Sequence, residues 1–335
     1  MMTTAKAAAG SDFAELNRRI QAAGLLDRRP SYYVLRLTAV ALVLIGTWVG
    51  FFLIGSSWWT VAVAAVMGVV FAQTALVAHD LAHRQVFRTA TASGRAGMIA
   101  GNLGIGMSYG YWQHKHTRHH ANPNHDDLDP DVGPGALVWS REQAAERTGF
   151  GAWLTRHQAW LFFPLLTLLG LSLRKDSIVA LRTEKIKQRW LEATLLGVHI
   201  VGYLAVLFLV LSPLQALAFF VVHQAVFGVY LGLTFAPNHK GMPHPTGDED
   251  FLRKQVLTSR NVRGGVLMDV ALGGLNYQIE HHLFPAMPSP NLAKAQPIVQ
   301  AYCAEIGVSY EVTGLVESYR IALAHLHEIG ADLRK

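Results

Sequence analysis

The chain has 335 residues, of which 51% are hydrophobic and 16% charged; an average soluble domain carries roughly 25% charge, so this one needs a very large core or a membrane. Its single cysteine, Cys303, excludes an internal disulfide framework, a CxxC zinc site and a four-thiolate iron–sulfur cluster, and its apolar content excludes a disordered chain. The formal net charge of +6 raises nucleic acid as a partner, and the placement of the cations decides against it.

In chain order, the first thirty residues include Arg18, Arg19, Arg28 and Arg29 and lack the apolar core of a secretory signal. Residues 14–25 read as an amphipathic helix, on a membrane face or in solvent. Arg36 is followed by no Lys or Arg until Arg84, and Arg189 by none until Lys240. Within those gaps lie four apolar runs, 32–55, 58–78, 190–211 and 213–235, each about twenty residues or more, enough for a helix to cross a bilayer. The links inside each pair, Ser56-Ser57 and Ser212-Pro213, are so short that the runs read as two helical hairpins. The cations then fall on the side holding both termini and the middle segment, which the positive-inside rule makes cytoplasmic. Residues 160–173 are apolar but too short to span, so they are expected as one in-plane helix. The fold expected is an all-α integral membrane protein, one domain over 1–335. Its cytoplasmic helical cap is built from 79–189 and 236–335.

Histidine placement carries the functional reading. His79 and His83 (HDLAH) are at i, i+4, His116, His119 and His120 (HTRHH) at i, i+3, i+4, and Gln278, His281 and His282 (QIEHH) repeat that spacing. Each set falls on one helix face, and all are expected at the cytoplasmic side. Neutral imidazole suits iron, copper and zinc, and seven histidines exceed the three or four ligands of one zinc site, so two metals are expected. His239, directly after the fourth run, is an additional candidate ligand, whereas His114 is expected in solvent. His199 and His223 are expected near mid-bilayer, hydrogen-bonded to each other. A metal-bound imidazole usually gives its other N–H to an oxygen acceptor; Asp80, Asn124, Asp127, Asp129, Asp131 and Glu280 are the candidates for that support. No ExxH, HExxH or strand-following GxGxxG occurs, against a carboxylate di-iron bundle, a zincin and a dinucleotide fold.

HDLAHRQVF, WQHKHTRHHANPNHDDLDPD and QIEHHLFPAMPSPNL together resemble the three histidine boxes of the membrane fatty acid desaturase family, over about residues 79–303. Glutamine at the head of the third box is similar to the front-end subgroup. The resemblance implies two non-haem iron ions, dioxygen as co-substrate, and a fatty acyl-CoA or acyl-lipid substrate in the bilayer, with no role for nucleic acid. Gln278 stands where many members have histidine, and binds iron directly or through water on that reading. Two departures stand out: Ala82 and Thr117 replace the usual Gly and Asn, and no HPGG haem motif of a fused cytochrome b5 domain is present. Electrons are therefore expected from a separate donor, ferredoxin or a cytochrome with its reductase. A bacterial plasma membrane is the expected location. Breaking an unactivated C–H bond is beyond acid–base catalysis and needs an oxidant made from dioxygen at a redox metal. A membrane di-iron hydroxylase of an alkyl or lipid substrate is the second enzyme reading, and a haem carrier using His199 and His223 is the non-catalytic one. Gly46 and Gly50, and Gly228 and Gly232, sit at i, i+4; they are read either as room for an acyl chain or as close helix contacts.

Overall fold

The computed structural model describes residues 11–334; the first ten residues, part of the stretch read as lacking a signal sequence, lie outside the described residues. The helices in chain order are α1 (Asp12–Ala22), α2 (Pro30–Ile54), α3 (Thr60–Ala82), α4 (Ala90–Met98), α5 (Tyr109–Ala121), α6 (Arg141–Ala145), α7 (Gly149–Leu166) and α8 (Leu169–Thr183). There follow α9 (Arg189–Val210), α10 (Pro213–His239), α11 (Phe251–Leu257), α12 (Val266–Ala271), α13 (Gln278–Leu283), α14 (Ser289–Glu305) and α15 (Leu315–Ile329). A π-helical turn, Ile99–Ile105, lies between α4 and α5, and β1 (Asn261–Val262) pairs in parallel with β2 (Val312–Thr313).

Four helices, α2, α3, α9 and α10, are long and apolar enough to cross a membrane, at the four places hydropathy marks. Two outrun their expected ends: α3 continues to Ala82 and α10 to His239, so both deliver histidines on ordered helix. Proline at position 237 would normally end a helix, because it leaves the carbonyl four residues back without its N–H. Here the Tyr319 hydroxyl of α15 donates to that carbonyl, Leu233 O, and the helix goes on. At its other end α10 has Pro213 in its first turn and a capping box between Ser212 and Gln215. Gln215 Oε1 also accepts from Ser56 Oγ at 2.9 Å, which ties the two short inter-helix turns together.

The most extensive helix contact is α3 against α10; a side chain at Gly68 would lie 2.8 Å from Val226 Cβ, so the absent Cβ is what lets the backbones meet. By contrast α2 and α9 expose large apolar side chains, Leu53 at 82% and Leu209 at 84%, as lipid-facing helices do. A second apolar cluster, with Leu16, Ile20, Leu252, Ile279, Val299 and Cys303 at its centre, unites α1, α11, α13 and α14. The amphipathic face of α1 is thus covered by protein, and is not the free membrane-facing surface allowed by the sequence.

Two further expectations are corrected. The 160–173 stretch is two helices, with α7 ending at Leu166 and α8 starting at Leu169. The break comes after Pro164, where Thr167 Oγ1 folds back onto Pro164 O at 2.6 Å. His199 and His223 do not bond each other: His199 Nδ1 donates to Leu103 O at 2.8 Å, and His223 Nδ1 shares a 2.7 Å bond with the Tyr203 hydroxyl. Of the two readings of Gly228 and Gly232, close helix contact is the one seen: a Cβ at Gly228 would meet Leu166 O at 2.3 Å, and one at Gly232 the Leu166 side chain at 2.5 Å. These two glycines are occupied by helix contact; Gly46 and Gly50 have nothing within 4 Å.

Candidate metal centre

Four chain segments converge on one buried cluster of histidines. His79 lies in the last turn of α3 and His83 caps that helix. His116, His119 and His120 are on α5, whose start is fixed from a distant element. Glu192 of α9 accepts from the N-cap hydroxyl of Ser108 at 2.6 Å, from Gly110 N–H at 3.1 Å and from Asn102 Nδ2 at 3.1 Å, so a buried carboxylate meets the positive end of the helix dipole. His239 is the last residue of α10. His281 and His282 are on the short α13, whose opposite face sets Ile279 and Leu283 into the apolar cluster beneath. Asn261 Oδ1 accepts from Ile279 N at 2.9 Å, holding α13 against β1.

The ring nitrogens fall into two groups. One comprises His79, His83, His116 and His281, the other His119, His239 and His282, and within each group one nitrogen from each ring lies within 4.8 Å of those of the others. His120 sits between them, with Nε2 at 3.0 Å from His116 Nε2 and its ring stacked on His282 at 4.2 Å between centroids. His116 Nε2 is also 2.9 Å from His83 Nε2. Burial, reinforced by the neighbouring imidazoles, holds His83, His116, His120, His281 and His282 well below the ordinary histidine pKa. They are therefore neutral, the form that ligates metal. His79 Nε2, His120 Nδ1, His282 Nε2 and both nitrogens of His281 are buried with no hydrogen-bond partner among the described residues. Such orphans are costly in a protein interior. A cation in each group would satisfy His79 Nε2, His282 Nε2 and one nitrogen of His281, so the donor set fits two metals.

Support for the rings is uneven. In the second group every Nδ1 is engaged: His119 donates to Asp129 at 2.9 Å, His239 to Thr258 O at 3.0 Å, and His282 to Gln255 Oε1 at 2.8 Å. That turns each Nε2 towards the centre, where His239 Nε2 accepts from the Gln278 amide. Gln278 is within this group's reach, its Nε2 2.9 Å from His239 Nε2. In the first group, His79 Nδ1 is 3.4 Å from Asp80, whose other oxygen pairs with Arg36 at 3.2 Å. Asp131 Oδ2 reaches His119 Nδ1 at 3.5 Å and its other oxygen pairs with Lys115. Burial pushes the Asp131 carboxyl up, but Lys115, His119 and Lys240 together hold it below its usual range. Asn124 acts on backbone, donating from Nδ2 to His239 O at 3.1 Å and from its own N–H to Asp129 at 2.8 Å.

Two expected supports are not there. Asp127 is exposed. Glu280 turns away from the rings, accepting from Tyr310 Oη at 2.6 Å and Asn261 Nδ2 at 2.7 Å, with burial pushing its pKa up to about 7. His114 is 60% exposed and pairs with Glu184. Conversely, Gln255, Thr258 and Glu192 escaped the sequence reading. Each lies on an element far from the box it serves, and two act through a backbone carbonyl or a helix end, so no spacing announces them.

A cavity of roughly 360 Å³ opens beside the histidines. His79, His116, His119, His239 and Gln278 line it together with apolar groups that include Leu166, Leu169, Leu173, Leu231 and Phe235. An apolar slot touching a metal-fitting cluster suits an alkyl chain.

Comparison with known proteins agrees with this geometry. The family model described as fatty acid desaturase matches residues 56–314. An acyl-lipid (9-3)-desaturase of Physcomitrium patens is 29% identical over 95% of this chain and 62% of its own length. An acyl-lipid 8-desaturase of Rebecca salina is 30% identical over 95% of this chain and 75% of its own. A Delta(5) fatty acid desaturase of Caenorhabditis elegans is 27% identical over 95% and 73%. This chain thus spans somewhat under two thirds of the first relative and about three quarters of the other two.

Proposed function

This chain belongs to the fatty acid desaturase family, and from that premise we propose that it is a dioxygen-dependent desaturase that places a cis double bond in a membrane-borne fatty acyl chain. The observation that carries the proposal is the convergence of eight histidines, some with orphaned ring nitrogens, beside an apolar cavity that four of them, His79, His116, His119 and His239, line. In each turnover the alkyl chain gives up two hydrogens from neighbouring methylenes. A separate protein, ferredoxin or a cytochrome with its reductase, supplies two electrons, and with protons from water one dioxygen becomes two water molecules. The substrate is an acyl-lipid, as the names of the relatives suggest, or an acyl-CoA.

His79, His83, His116 and His281 would hold one iron, and His119, His239 and His282 the other, with His120 between them and Gln278 at the second. Two irons so held would make from dioxygen the oxidant that an unactivated C–H bond requires. The rest is the protein's own work. Asp129, Thr258 O and Gln255 fix which nitrogen of each second-group ring faces the centre. Leu173, Leu231 and Phe235 keep water from the alkyl chain, and the rigid ends of α3 and α10 hold the histidines against the cavity wall. The half-buried positive and negative groups around Asp131 line the same cavity, where Lys240 Nζ stands 4.1 Å over the Trp139 ring.

For the whole molecule we propose two membrane hairpins, α2–α3 and α9–α10, and one continuous domain whose cap and centre face the cytoplasm of a bacterial cell. The cation-free stretches 37–83 and 190–239 support that orientation. Iron analysis of the purified chain tests the centre. Two irons per wild-type chain, reduced by His119→Ala with loss of activity, are expected; an iron-free wild-type protein, or full activity in the variant, refutes the proposal.

A further inference from the structure

Arg260 is the largest fully buried side chain in the described structure, at 1% exposure, and nothing in the metal centre described above accounts for it. A buried guanidinium normally sits against a carboxylate. This one does not: its partners are Pro237 O at 2.6 Å, Ser318 Oγ at 2.9 Å, Ser318 O at 3.3 Å, Met242 Sδ at 3.5 Å and Lys240 O. Burial pulls its pKa down to about 10, which still leaves it charged at neutral pH.

The partners explain the position. Helix α10 ends at His239, and the last carbonyls of a helix have no partner within it. Arg260 takes them in from both sides: its guanidinium meets Pro237 O and Lys240 O, and its own backbone N–H donates to Asn238 O at 2.9 Å. The remaining carbonyl, His239 O, is met by Asn124. A cation at a helix C-terminus is also favoured by the helix dipole, more strongly where water is excluded. Two residues earlier, Thr258 O accepts from His239 Nδ1, and three residues before that Gln255 accepts from His282. The short segment from Gln255 to Arg260 therefore supports the second histidine group and makes no hydrogen bond to a ring of the first.

We propose that Arg260 is a positioning residue for the second metal: it clamps the end of α10 so that His239 is presented with its ring fixed, and its loss releases one metal of the two. This rests on the two-metal reading, and the test separates them. The chain is loaded anaerobically with Fe(II) and the retained iron is counted during challenge with a chelator, for wild type, Arg260→Met, Arg260→Lys, His239→Ala and His79→Ala. Wild type should keep two irons. Arg260→Met should fall to one, as His239→Ala does; adding Arg260→Met to His239→Ala should remove no more, whereas adding it to His79→Ala should leave none. Lysine keeps the charge but not the planar fork, so Arg260→Lys should hold both and lose one roughly ten-fold faster than wild type. Thermal melting of each variant reports folding independently. Selective loss of one iron in either arginine variant sustains the assignment; its absence from both overturns it. A wild-type chain that holds no iron refutes the metal centre itself.

Discussion

Asp129 touches His119 with both carboxylate oxygens, at 2.9 and 3.1 Å, and is itself fixed by the N–H groups of Asn124 and Asp131. The negative charge makes the opposite nitrogen of His119 a better donor to a cation. Asp129→Asn keeps an acceptor but removes the charge, so iron affinity at the second group should fall about ten-fold or more, read by competition with a chelator; unchanged affinity would refute that role. Acid should act on the same rings. His83, His116, His120, His281 and His282 have pKa values well below normal in the fold, and near 6.5 once unfolded. The unfolded chain therefore binds more protons as pH drops below that value, so the metal-free fold loses stability on acidification and gains none on going higher. Melting temperatures of metal-free protein in detergent should drop sharply between about pH 7 and about pH 5.5; equal values would contradict neutral buried rings. At this scale the sequence was informative where spacing on one helix defines a face, as in HTRHH. It was silent on Gln255 and Thr258, which reach the rings from another element, and misleading on Glu280, whose face of α13 points away from the rings.

The helices meet through absent side chains. Gly228 lets the α7–α8 junction approach α10 until a Cβ would lie 2.3 Å from Leu166 O. Gly228→Ala must push that backbone away and should destabilise the protein by about 1–3 kcal/mol, a lower melting temperature in detergent. Gly50→Ala, with no atom within 4 Å, serves as the control and should leave it nearly unchanged; equal effects would contradict the packing described. Hydropathy located all four long helices because a bilayer demands a run of apolar residues. It could not say where α3 and α10 stop, since Tyr319 meeting the carbonyl freed by Pro237 is a tertiary contact. Nor could it divide residues 160–173, where the break lies at Thr167 and Leu168 and not at the proline.

Across the whole molecule, the orientation proposed here follows from where Lys and Arg are missing. Cys303 is buried, so single cysteines at Ser57 and Ser212 can be labelled against a silent background. An impermeant thiol reagent added to intact cells should label both and should not label a cysteine placed at Asp127, which is exposed in the loop that leads to Asp129. The reverse pattern would invert the topology.

If this centre desaturates an acyl chain, the fatty acids of a host that carries it will show the product. A host expressing the chain with a compatible electron donor is compared with one expressing His119→Ala, and the double bonds in its fatty acids are located by derivatisation and mass spectrometry. A new acid that has lost two hydrogens is expected, present only with the wild-type chain. An acid that has instead gained one oxygen atom, at the same position and with the same dependence on His119, would make this a hydroxylase and contradict desaturation.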